Sequence, residues 1–220
     1  LQPRDGGTGN GACEVPVDLY KCVTDDGLVR PGGVPHWPEE AGATTDRTIK
    51  LARLKHTGNC DPEPLAFERL GLLMAREART KLDRVGPIEI DKLPGAGVEV
   101  AVMTGTAEFT LSEAQQKILK AFVEGGGTLI VDAAGGAKYE LDPATRVSRP
   151  TGFIAKAEKY METMFGDGSL RRLSAAAPMF KLPGFPIDRV SYRQRTRGRL
   201  AQMKTHNLRA VMVGQRVGVI

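Results

Sequence analysis

Val98–Asp132 reads VEVAVMTGTAEFTLSEAQQKILKAFVEGGGTLIVD, and its three parts decide the fold. Val98–Met103 is a near-continuous apolar run, the pattern of a strand covered on both faces, and it ends at Thr104-Gly105-Thr106. Thr110 and Glu113 fit a capping box. Ile118, Leu119, Phe122 and Val123 follow at helical spacing, up to a stop at Gly125-Gly126-Gly127. Thr128–Val131 is a second apolar strand, ending at Asp132-Ala133-Ala134-Gly135-Gly136. Strand, helix and strand in this order predict a right-handed crossover between parallel strands.

The neighbouring segments extend the same reading. Upstream, Ile49, Leu51, Ala52 and Leu54 make a short strand, and Asp61-Pro62-Glu63 reads as a helix start: a cap, a proline at the first position and an acid in the first turn. A helix is expected from there to about Arg84, with Ala66, Leu70, Leu73, Met74, Ala78 and Leu82 as its buried stripe, then a brief strand over Pro87–Asp91. Downstream, Ile154, Ala157, Met161 and Met164 predict a helix over 152–165. Arg189–Arg197, Gly198–Lys204 and Leu208–Ile220 read as antiparallel strands with turns near Gly198 and Asn207. The expected architecture is an α/β core with an antiparallel β appendage at the C-terminus.

With 220 residues, 41% of them apolar and 26% charged, the chain can bury a core of ordinary globular kind, and no apolar run is long enough to span a bilayer. Three cysteines exclude a disulfide-stapled miniprotein. Residues 1–45 hold eight Gly and five Pro without a sustained period, which reads as an extension. Cys13 and Cys22 within it are open to two readings, a disulfide of an extracytoplasmic protein or two thiols. The segments are 1–45, an α/β domain over 46–182, and a basic β segment over 183–220. The start at Leu1 and the stop in Val217-Gly218-Val219-Ile220 make both ends read as cuts.

Three runs in order, Gly58-Asn59-Cys60-Asp61-Pro62-Glu63-Pro64, Thr104-Gly105-Thr106 and Gly125 to Gly136, resemble a bacterial domain of unknown function, family 4159. That family is placed in the superfamily similar to class I glutamine amidotransferases. The resemblance spans about Ile49 to Phe180. It implies a three-layer flavodoxin-like fold with a parallel sheet, often in longer envelope-associated chains, and no established activity. The sequences it resembles usually carry a His near Val102 and, in some branches, an Asp-His before the proline that aligns with Pro178. Here Val102 and Ala176-Ala177 stand at those places.

In an open parallel sheet, ligands bind beyond the carboxyl ends of the strands, and the three motifs all follow strands there. Asn59, Cys60, Asp61 and Glu63 would share one loop, Thr104 and Thr106 the next, and Asp132 with Gly135 and Gly136 a third. This predicts a polar ligand-binding cleft, although Asp61 also reads as a plain helix cap and the glycines as plain turns. Acyl transfer needs a Cys or Ser on a tight strand-to-helix elbow with a His in reach, and none stands after Met103. Cys60 with His56 is the one candidate couple, but four residues of extended strand separate them by about 13 Å. An oxygen-ligand cation site on Asp61, Glu63 and Asp132 has little support, and soft-metal spacings are missing. No metal and no cofactor is implied.

Charge is uneven. Residues 181–220 hold nine Lys/Arg and one acid, Asp188, whereas the first 180 residues carry a net charge of −3. Arg193, Arg195, Arg197 and Arg199 alternate, so an extended strand would set them on one face toward an acidic partner. Nearby aromatics are few, so nucleic acid is the weaker reading. The sequence is therefore expected to be a non-catalytic binding or assembly module of a larger envelope-associated protein or complex. Its partners would be other subunits or domains, without direct membrane insertion by this segment. The alternatives are a hydrolase or transferase using the cleft, and a nucleic-acid binder using the arginine-rich strands.

Overall fold

A computed structural model describes residues 42, 44–134, 138–141, 144, 148–190 and 206–220. Its centre is the predicted crossover: β3 (Val100–Gly105), α2 (Glu113–Glu124) and β4 (Thr128–Ala133), with β3 and β4 parallel and in register from Val100↔Thr128 to Gly105↔Ala133. The helix cap falls two residues later than expected. Ser112 accepts from the Gln115 N–H and Gln115 reaches back to the Ser112 N–H, a reciprocal capping box. Thr110 is instead tied to Thr57, whose Oγ1 accepts from its N–H at 2.8 Å.

β1 (Arg47–Lys55) lies between β3 and β2 (Thr80–Glu89), parallel to both. The helix joining β1 to β2, α1 (Pro64–Ala78), is shorter than the expected run to Arg84. Arg79 adopts the left-handed conformation (φ 48°), and from Thr80 the chain is a strand whose buried Thr80 and Leu82 alternate with exposed Lys81. Leu82 fits both periods, two after Thr80 and four after Ala78, and sheet pairing decides between them. Ile90, expected in a strand, opens a 3-10 turn (Ile90–Gly95) and is fully buried. The Asp46 carboxylate takes two hydrogen bonds from Arg79, at 2.7 and 2.8 Å, which hold it below the usual carboxylate range and tie the entry of β1 to the end of α1.

Beyond β4, α3 (Gly152–Phe165) follows a small antiparallel pair, β5 (Lys138–Leu141) with β6 (Ser148–Thr151). Next come β7 (Leu170–Arg172), a 3-10 turn (Pro178–Phe180), and a two-residue pair, β8 (Lys181–Leu182) with β9 (Phe185–Pro186). Leu208–Ile220 is not one strand but a hairpin, β10 (Arg209–Val213) and β11 (Arg216–Val219), because Gly214 turns the chain at φ 61°. Of the strands expected over Arg189–Arg197 and Gly198–Lys204, Arg189 and Val190 are not in a strand and the rest, with the turn at Gly198, lie outside the described residues, as does nearly all of the 1–45 extension with Cys13 and Cys22.

The main sheet has seven strands in the order β2-β1-β3-β4-β11-β10-β7, and β11 enters parallel to β4. Five parallel strands ordered 2-1-3-4-11 make the flavodoxin-like layout, and β10 is the antiparallel addition. α2, α3 and the first 3-10 turn cover one face over Ala52, Leu54, Met103, Phe109, Leu119, Leu129, Phe153 and Met161. α1 covers the other face over Leu51, Leu82 and Val102, through Phe67 and Met74. No residue of α1 is fully buried, and Leu70 of the expected stripe is exposed. Among the described residues no helix is long and apolar enough to cross a membrane.

Candidate functional site

The order of the strands places a switch point between β1 and β3, where the chain leaves β1 in one direction and β3 in the other. The loops after these two strands are joined by side chains from both. Asn59 Oδ1 accepts from the backbone N–H of Thr106 and of Ala107, each at 2.9 Å, and its Nδ2 donates to Thr106 Oγ1 at 2.6 Å. The loop after β1 also sits hard against its neighbour. A Cβ on Gly58 would stand 2.9 Å from the Glu108 carbonyl, so only glycine fits without movement.

His56 is the hub beneath this bridge. Its Nδ1 accepts from the Gly58 N–H at 3.1 Å, so the proton is on Nε2, which donates to the Thr104 carbonyl at 2.8 Å. The ring packs against Phe109 and Phe153 at centroid distances of 4.8 and 5.6 Å. Burial in this aromatic pocket lowers the His56 pKa below the ordinary 6.5, opposed by the bond to Thr104. The unfolded chain therefore takes up its proton near pH 6.5 while the folded chain stays neutral. This contribution to stability is complete above pH 6.5 and is lost as pH falls toward the folded pKa. The thermal midpoint is expected to drop between pH 7 and pH 5 more steeply in the wild type than in His56→Phe, and parallel curves would refute the assignment.

Both ring nitrogens being engaged, His56 cannot take a proton from Cys60. Cys60 is a half-buried free thiol whose N–H donates to the Gly58 carbonyl. Asp61 is not the helix cap: Glu63 holds that position, and its exposed side chain makes no capping bond. Asp61 adopts φ 59° and pairs with Arg53, which also donates to the Gly86 carbonyl at 3.0 Å, tying this loop to β2. Alternation from Leu51, Val102 and Ile130 places Arg53, Thr104 and Asp132 on the α1 side of the sheet, opposite the His56 pocket. Thr104 stands beside Asp132 in the ladder; the threonine is buried, the aspartate exposed.

The structure thus brings Asn59 to Thr106 and Thr104 beside Asp132, and draws Asp61 to Arg53. Gly135, Gly136 and the arginines 193, 195, 197 and 199 lie outside the described residues. Arg53 and His56 carry the local geometry and were not among the expected cleft residues. A charged residue inside the apolar run Leu51-Ala52-Arg53-Leu54 is the signal that marks the first. Among the described residues no cluster of three or more His, Cys, Asp or Glu could hold a metal ion.

Residues 50–220 match the family model of a domain of unknown function, DUF4159. No curated protein and no solved structure matches the chain.

Proposed function

The chain belongs to the DUF4159 family, and from this premise we propose that it is a non-catalytic binding or assembly module of a larger bacterial envelope-associated protein or complex. One observation carries the reading: the groups at the switch point that could serve acyl transfer are already engaged, although Arg53 Nε and Asp61 Oδ1 beside them are buried without a partner. Asn59 occupies the amides that could receive an oxyanion, and His56 has both nitrogens bound within its own loops. The strand order supports kinship with proteins similar to class I glutamine amidotransferases, whose chemistry needs a nucleophile and a free base. Other subunits or domains would be the partners, with an acidic one facing the basic C-terminal segment, and an extracytoplasmic location fits the envelope setting.

The competing enzyme reading has a direct assay. Ester, amide and phosphoester substrates should show no turnover above buffer, and Cys60→Ala and Asp132→Asn should match the wild type. Turnover abolished by either substitution would replace the binding reading with a catalytic one. Cross-linking of the full chain should trap specific adducts, and a strictly monomeric protein without adducts would count against assembly.

A further inference from the structure

The segment after β7 sorts its apolar residues in two directions. Leu173 and Phe180 turn inward against Ala210, whereas Met179, Leu182, Phe185 and Ile187 remain 36%, 54%, 48% and 49% exposed. Leu182 and Phe185 stand opposite each other across the Pro183-Gly184 turn, with Gly184 at φ 82°, and the hairpin is rooted where the Ile187 N–H donates to the Phe180 carbonyl at 2.7 Å. Four large apolar side chains exposed within nine residues mark an interaction surface rather than scattered exposure. Beside them are the exposed Lys181 and Arg189, with the exposed Asp188 between Ile187 and Arg189. From Asp188 to Lys204 the sequence carries six Lys/Arg and one acid, and residues 191–204 lie outside the described residues.

We propose that this hairpin docks on an anionic lipid surface, with Leu182, Phe185 and Ile187 at the boundary of headgroups and acyl chains and Lys181 and Arg189 among the headgroups. Attachment of this kind is interfacial and spans nothing. Apolar burial and attraction of basic residues to anionic lipid add. The shape favours lipid over a folded partner: a stable protein interface uses roughly 800 Å² on each side, more than a two-residue hairpin tip presents. The basic excess of residues 181–220, nine Lys/Arg against the single Asp188, suits a diffuse anionic sheet, which requires no pairwise register. Nucleic acid would use the arginines but leave Leu182 and Ile187 without a role.

Flotation of the full chain with vesicles tests this. At low salt it should bind phosphatidylcholine vesicles containing about 30% phosphatidylglycerol, leave pure phosphatidylcholine unbound, and detach as salt rises. The pair Leu182→Ser with Phe185→Ser should weaken binding roughly tenfold or more with an unchanged thermal midpoint, since both side chains are exposed. Lys181→Glu with Arg189→Glu should also weaken it. A Phe185→Trp variant, measured against the wild type and its single Trp37, should shift its emission to the blue on anionic vesicles. Equal binding to both vesicle types, a serine pair that binds like the wild type, an unshifted emission from the Phe185→Trp variant, or hairpin-dependent self-association without lipid would each overturn the proposal, the last in favour of a protein interface. Loss of the assembly reading leaves this result untouched, because no partner protein enters the assay.

Discussion

Phe109→Ala is expected to cost about 3–5 kcal/mol, the range for removing a fully buried aromatic ring, and to lower the thermal midpoint by roughly 10 °C or more. Phe109 is 2% exposed and its ring meets three others, His56 at 4.8 Å, Phe153 at 4.9 Å and Tyr160 at 5.6 Å. Tyr160 in turn accepts from the Leu111 N–H at 3.0 Å, so the same ring stack holds the segment that enters α2. Losing the ring opens a cavity between the two loops of the switch point and the body of α3. The effect should therefore reach the site. His56 loses a wall of its pocket, water gains access, and its pKa should move back toward 6.5 as the burial that lowered it is relieved. Chemical denaturation gives the first quantity and a titration of the His56 ring by NMR the second. A loss below about 1 kcal/mol, or a His56 titration identical to the wild type, would mean that the stack does not support the loops.

The ring stack also shows what could be read in advance. Phe109 and Phe153 lie forty-four residues apart, and nothing local indicates that they close over His56. The crossover from β3 to β4 was legible because each part keeps one period and ends on a strong stop, glycines after α2 and a polar triplet at the end of β3. The end of α1 was not, because Leu82 satisfies the helical and the strand pattern equally and only pairing with β1 selects the strand. Likewise the C-terminal segment reads locally as antiparallel β, which β10 and β11 are, but insertion of β11 beside β4 is a contact across some ninety residues that no local rule states. The site follows the same division. Topology alone gathers the loops of Asn59 and Thr106, whereas the choice of partner for each side chain, Asn59 for two amides and Asp61 for Arg53, depends on sub-ångström placement. A residue type with several good partners cannot announce which one it takes.

Gly105→Ala should destabilise the fold by about 1–3 kcal/mol, the cost of forcing an extra methyl into a filled core. Glycine here serves close approach, not an unusual backbone angle, since Gly105 is the last residue of β3 and pairs in register with Ala133. A Cβ at this place would stand 2.6 and 2.9 Å from two atoms of the Phe153 ring and 3.2 Å from His56 Cε1. Contacts that short require movement, and Phe153 has nowhere to go: it is 2% exposed, at the start of α3, and packed on Phe109. The strain should pass to the His56 ring and lengthen its bond to the Thr104 carbonyl, so that Gly105→Ala also exposes the amides that Asn59 covers. A double-mutant cycle isolates the cause. Phe153→Leu shortens the obstructing side chain at a cost of its own, and if the clash is with that ring, Gly105→Ala should be nearly free of cost in its presence, giving a coupling of about 1 kcal/mol or more. Strictly additive losses would place the strain elsewhere, and an alanine at 105 as stable as glycine would show that the aromatic wall beneath the switch point yields, leaving the loops above it free to open.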